Sequence, residues 1–146
     1  MPLWHIYHPP TTFTTTASKR SLATALTKLY TDIGLPAFYV NVFFHSMQPS
    51  DVWIGGEVLE RPFVRLVGEQ IAVRMPDQDE VYAEWLGKVD EAIKPHIHDM
   101  GYDWEYHIDE TERRLWKVKG LYAPPFGSEE ENMWAKENKA VPWKKE

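Results

Sequence analysis

The chain opens on a period of two. Between Pro2 and His8, Leu3, His5 and Tyr7 share one face while Trp4, Ile6 and His8 share the other, the alternation of a β-strand. Pro9-Pro10 ends it, and the Thr-rich run from Thr11 to Thr16 offers turn and N-cap residues. The period then lengthens. Leu22, Leu26, Leu29 and Ile33 recur at spacings of four, three and four, which predicts an amphipathic helix. Gly34 is placed to stop that helix, with Pro36 just beyond. From Ala37 to Phe44 the residues are largely β-branched and aromatic, predicting a strand buried on both faces.

The same order then returns. After a turn region holding Gly55-Gly56, the stretch from Pro62 to Arg74 carries Val64, Leu66, Val67, Ile71 and Val73 and predicts another strand. Asp77 with Glu80 fits a capped helix start, and Leu86, Val89, Ile93 and Ile97 supply the apolar stripe. Gly101 ends this helix, and Tyr102 to Ile108 predicts the next strand. Two β-α-β units thus follow one another, at about residues 2–45 and 62–108. Each is expected to join its strands in parallel through a right-handed crossover. The expected fold class is α+β. Its core is a four-stranded, mainly parallel sheet with two helices on one face, in a single domain of residues 1–146. The other sheet face, left without a cover, invites another subunit. The C-terminal extension, from about residue 111, is charged and then Pro-rich at Pro124-Pro125. Ser128 with Glu131 predicts a short capped helix, and Trp134 and Trp143 predict a tail docked on a neighbouring surface.

Composition narrows the function classes. A chain of 146 residues, 43% hydrophobic and 26% charged, is ordinary for a globular protein with one core. Its seven Trp, within a 14% aromatic share, are first explained by core packing, though such an excess also suits pockets or subunit contacts. A net charge of -6 lacks the basic footprint that nucleic acid requires, yet local Arg residues can still dominate a pocket for a small anion. The absence of cysteine excludes disulfides, thiol nucleophiles and Cys-based metal sites. Met1 to Pro10 has no signal-peptide pattern, and no stretch approaches the roughly 18 apolar residues of a membrane span. The expectation is a cytoplasmic protein with no membrane partner.

Pro2 is the unusual chemical feature. Removal of Met1, which a small second residue permits, would leave a secondary amine at the chain end. An ordinary α-amino group titrates at about 7.7–8.0, and burial or nearby cations lower it. Such a nitrogen can serve as a general base near neutrality, as an acid if its pKa stays high, or as an imine-forming nucleophile. A proline here can equally do no more than begin a strand. Among the histidines, His96 and His98 are not spaced as a same-face helical metal pair and suit a capping or surface role. His5 and His107 would approach each other only if their two strands meet. Glu129 to Glu131 reads as the acidic first turn of the last helix.

The segments Pro2-Leu3-Trp4-His5-Ile6-Tyr7 and Phe38-Tyr39-Val40-Asn41-Val42-Phe43-Phe44 carry a family resemblance. So do Val52-Trp53-Ile54-Gly55-Gly56, Ile71-Ala72-Val73-Arg74, Tyr102-Asp103-Trp104-Glu105-Tyr106 and Ala123-Pro124-Pro125-Phe126-Gly127. In this order they resemble the tautomerase superfamily over nearly the whole chain. The likeness is closest to the branch of cis-3-chloroacrylic acid dehalogenase and to fungal proteins of oxalocrotonate tautomerase type. The resemblance implies a homotrimer whose sheets line a central barrel, a small carboxylate-bearing substrate, and neither metal nor organic cofactor. It assigns catalysis to Pro2 and Tyr106 and substrate binding to Arg74, to Arg65 as second carboxylate clamp, and to Tyr30. Tyr30 stands where the dehalogenase branch has a histidine, and Val118 before Gly120 stands where it has a water-activating glutamate. Three functions therefore stay open: proton transfer between carbon and oxygen of a 2-keto or enol carboxylate, hydration, dehalogenation or decarboxylation of an unsaturated acid, and non-catalytic binding on the same scaffold.

Overall fold

The computed structural model describes residues 1–144. Strand β1 (Leu3–His8) is followed by helix α1 (Thr16–Thr31), β2 (Asn41–Ser46), a hairpin of β3 (Trp53–Ile54) and β4 (Glu57–Val58), and the longer β5 (Phe63–Gln70). Helix α2 (Asp79–Ile93), β6 (Asp103–Glu110), a second hairpin of β7 (Lys117–Val118) and β8 (Leu121–Tyr122), and α3 (Glu129–Glu137) complete the order.

The main sheet runs β2-β1-β5-β6. Its outer pairs are parallel, as strand–helix–strand connections require, but the central pair β1 and β5 is antiparallel. The sheet is therefore mixed, two parallel pairs joined back to back. Even-numbered residues of β1 and β5, including Trp4, Ile6, Val64 and Leu66, point into one core with Leu22 and Leu26 of α1 and Val89 and Ile93 of α2. Gly68 leaves room for the Trp4 indole, whose ring atoms stand 3.0–3.2 Å from where a Cβ would lie. The opposite sheet face is uncovered within the chain. Phe43 there is 50% exposed, and His5, Tyr7, Phe43 and His45 stack on one another.

Thr15 caps α1 with a reciprocal Thr15–Ser18 box, so the Thr-rich run does contain the helix start. Elsewhere the elements are shorter than the apolar pattern. Ala37–Tyr39 is a 3-10 turn, and the strand begins only at Asn41, because the preceding aromatic residues pack under the C-terminal segment instead of pairing. Phe43 also contradicts burial on both faces. β5 stops at Gln70, and the continuing apolar residues to Arg74 form a loop. The N-cap of α2 is Gln78, not Asp77, whose carboxylate instead accepts a hydrogen bond from Tyr82 at 3.2 Å. Trp85 takes the buried position on α2 that the stripe gave to Leu86. Gly55 and Gly56, at φ 64° and 87°, form the two-residue turn of the β3–β4 hairpin, a conformation open mainly to glycine.

The C-terminal segment is part of the core. Ser128 caps α3, and Trp134 is 0% exposed, its Nε1 donating to the Val141 carbonyl at 2.8 Å. Trp143 donates to the Tyr122 carbonyl at 2.7 Å. Asn138 ends α3 in the left-handed conformation and accepts from the Phe38 N–H at 3.0 Å, tying α3 to the turn before β2.

Candidate active site

Pro2 is buried where the sheet's central strands end. Its carbonyl accepts from the Asn41 N–H at 2.9 Å, which extends the β1–β2 ladder by one residue. The β1–β5 register pairs Leu3 with Glu69, so its continuation sets Pro2 opposite Gln70. The amide nitrogen of Gln70 is buried without a hydrogen-bond partner among the described residues, and the buried hydroxyl of Tyr39 has none there at ordinary hydrogen-bond geometry, though Glu131 and Arg113 lie near it. These two polar groups border the start of β1.

The C-terminal segment closes over this end. Arg113, in a 3-10 turn, donates to the carbonyls of Ala72 and Pro124 and to Glu131 Oε1, the last at 3.1 Å. Its guanidinium lies 5.7 Å from the centre of the Trp116 ring. Glu131 is held from both sides, because its Oε2 also accepts from the Gly127 N–H at 2.8 Å while its own N–H donates to Ser128. Tyr39 packs edge-on against Trp116 at 4.7 Å and against Trp134 at 6.2 Å. Burial, reinforced by the nearby Glu131 carboxylate, pushes the Tyr39 phenol well above its ordinary value, so it stays neutral.

Met1 fills the space in front of Pro2 and packs against the core. Its ammonium is driven down to a pKa of about 4, first by desolvation and then by the Arg113 charge, with Glu131 opposing. A charge is disfavoured at this spot.

The residues expected to join Pro2 are placed unevenly. Arg74 lies on the exposed loop beyond β5, at the same end of the sheet, and its charge acts on Glu112 and Tyr82. Arg65 points to the open sheet face, paired with Glu105 and 2.6 Å from His107 Nδ1, and it borders a cavity of about 320 Å³ near the far end of β1. Five residues of β5 and the thickness of the sheet separate it from the Pro2 side, so one protomer does not bring the two together. Tyr106 faces α2, donating to Asp90 at 2.7 Å and to the Leu86 carbonyl at 3.3 Å. It pairs with Leu66, itself paired with Ile6, which sets it two strands and roughly 13 Å of strand away from Pro2. Tyr30 is 2% exposed in the core, where its hydroxyl accepts from Trp4 Nε1 at 3.1 Å. In one protomer, then, the charged groups that act on the Met1 amine next to Pro2 are Arg113 and Glu131.

No sequence pattern marks Arg113, one of several charges in a polar stretch. Glu131 carried a faint signal. At the third residue of a capped helix a glutamate ordinarily returns to the cap's own N–H, whereas this one reaches Gly127 and Arg113. His5 and His107 share a row of the open face but lie two strands apart, because β5 separates their strands, and His5 pairs instead with His45 at 2.8 Å. Among the described residues, no three His, Asp or Glu side chains converge as metal ligands, and no helix is long and apolar enough to cross a membrane.

Known proteins share this architecture. A family model described as "Putative oxalocrotonate tautomerase enzyme" matches residues 1–139. RhCC from Rhodococcus jostii RHA1 superimposes with a TM-score of 0.92 at 40% identity, over 97% of this chain and 99% of that one. A protein of the thermophilic fungus Aspergillus fumigatus, described as "a probable enzyme", gives 0.89 at 40% identity over 98% of each chain. A fused 4-OT symmetric trimer has the same fold, with a TM-score of 0.64 at 23% identity over 86% of this chain and 99% of that one. No curated protein matches the chain.

Proposed function

The chain belongs to the oxalocrotonate tautomerase-type family whose model spans it, and from that premise we propose a cofactor-independent tautomerase that works through Pro2. The supporting observation is the environment of the chain's first nitrogen, where burial and the Arg113 guanidinium together hold an amine in its neutral form. Once Met1 is removed, the Pro2 nitrogen takes a proton from the enol oxygen or the adjacent carbon of a small 2-keto carboxylate and returns it to the other atom. Arg74, at the same sheet end, binds the carboxylate, since a guanidinium fork suits two parallel hydrogen bonds.

Tyr106 and Arg65 serve this site only across a subunit boundary. β6 is an edge strand and the open sheet face carries half-exposed Phe43, both favourable for a homotrimer of the kind found for the fused 4-OT protein. The deciding assay is the ketonisation of phenylenolpyruvate by processed protein. Pro2→Ala, which keeps an amine but changes its basicity and rigidity, is expected to lower kcat/KM by roughly 10²-fold. An unchanged kcat/KM refutes the role of Pro2.

The packing of Met1 supports a second reading. If Met1 stays in place, the Pro2 nitrogen is an amide without a basic lone pair, and the scaffold is a binding protein. Intact-mass measurement of the natural protein separates the two. Release of halide from 3-haloacrylates tests the hydrolytic alternative within the family.

A further inference from the structure

We infer that the cavity at the far end of β1 is a second ligand site, for a small, neutral, apolar molecule carrying a hydroxyl group whose O–H donates to His8 Nε2. The site is independent of Pro2, from which the length of β1, roughly 20 Å, separates it.

The cavity, of about 320 Å³, lies where the end of β1, the turn after β2, the feet of the β3–β4 hairpin and the start of β5 meet. Pro9, Met47, Val52, Leu59 and Phe63 make its wall mainly apolar. Its size suits one ring with a short substituent, since a dry cavity of about 150 Å³ already holds benzene. His8 borders it and is 3% exposed. The imidazole Nδ1 stands 2.9 Å from the Pro9 carbonyl and 3.2 Å from the Thr12 hydroxyl oxygen. A carbonyl can only accept, so Nδ1 carries the hydrogen and Nε2 presents a lone pair. That nitrogen is buried with no hydrogen-bond partner among the described residues. The rings of Phe13 and Phe44 stand edge-on to the imidazole at 5.4 and 6.0 Å and bring it no polar donor.

The charges around the cavity select a neutral ligand. Arg65 pairs with Glu105 and donates to His107 Nδ1, while Arg61 donates to the Gly101 carbonyl at 3.1 Å and faces Asp103 at 3.7 Å. Carboxylates thus answer both guanidiniums, and Glu60 adds a further acid to the wall, so no net positive charge remains to hold an anion. The two arginines oppose a cation in turn. Burial, foremost, lowers the His8 imidazole below its ordinary value, in keeping with a neutral acceptor. A buried acceptor without a donor is unfavourable, and a ligand O–H that reaches it relieves that penalty while the ligand's body packs on the apolar wall.

The test is NMR titration of the full chain with phenol, toluene and benzoate, following backbone amides and the His8 ring nitrogens. Phenol is expected to move the amides of Met47, Val52, Leu59 and Phe63 together with the His8 Nε2 resonance. Toluene is the more apolar probe, so a merely greasy hollow would rank it first. The hydrogen bond to His8 is expected to reverse that order, with phenol bound about fivefold or more tighter than toluene and benzoate weakest. Leu59→Trp, which fills the cavity from the hairpin's foot, is expected to abolish binding of both neutral probes. His8→Phe is expected to keep toluene and lose the preference for phenol. If His8→Phe does not fold, the three probes, the Nε2 resonance and Leu59→Trp decide. Toluene bound as tightly as phenol overturns the inference, as does an unmoved Nε2 resonance or phenol binding that survives Leu59→Trp. Shifts confined to Asn41 and Gln70, beside Pro2, overturn it as well.

Discussion

Arg113 and Glu131 are joined at 3.1 Å with the carboxylate wholly enclosed and the guanidinium side chain 23% exposed. Enclosing two charges costs much of what their attraction returns, so the pair is weak evidence of stability. Its loss by halves is another matter, because each single removal strands the other charge.

Arg113→Met is accordingly expected to destabilise the fold by about 3–5 kcal/mol, read from urea denaturation midpoints, and the double change Arg113→Met with Glu131→Met by much less. Additive losses in the two single variants and the double variant would show that the charges are not coupled.

Proton linkage gives the Met1-retaining form a distinct pH dependence. The folded chain holds the terminal amine near 4, against an ordinary 8.0 when unfolded. Between those values the unfolded chain binds the extra proton, so stability declines as pH falls from 8 towards 4 and levels off below. The upper bound on this effect is about 5 kcal/mol. Thermal melts of the free and N-terminally acetylated forms across that window should diverge in slope. Parallel curves would place the amine in solvent.

Gly68→Ala is expected to cost about 1–3 kcal/mol, since the new Cβ would press on the Trp4 ring at 3.0–3.2 Å. That ring cannot swing away without giving up its hydrogen bond to Tyr30. Replacing Trp4 by Phe in the same chain should recover part of the loss. Equal melting temperatures for wild type and Gly68→Ala would contradict the close fit.

Tyr106 has its phenol raised above the usual range, by burial first and by Asp90 second. Asp90→Asn removes the negative partner and is expected to bring the Tyr106 titration down, though not to that of free tyrosine. Ultraviolet difference titration against a Tyr106→Phe control reads this directly. An unmoved titration would mean the 2.7 Å contact is not formed in solution.

The sequence carried the architecture because period and punctuation are local. Trp4 and Ile6 against His5 and Tyr7 declared the faces of β1, and Ser128 declared the start of α3. What it did not carry was long-range. The antiparallel junction of β1 with β5 depends on how two units meet, which no window of residues encodes. The strand ends were misplaced at Ala37–Tyr39 and beyond Gln70 because apolar residues there serve packing without pairing. For the candidate site, Pro2 drew attention by its position alone. Arg113 and Glu131 lie 18 residues apart and over a hundred from Pro2, so only the folded chain brings them together.

The clasp between Asn138 and Phe38, together with the enclosed Trp134, makes the final quarter of the molecule indispensable. A gene shortened to the two β-α-β units would not yield a smaller stable fold. It would leave an indole-sized void over Phe38 and Tyr39 and bare the aromatic rings that now line it. Minimal versions of this scaffold should therefore be trimmed from loops, never from the back end.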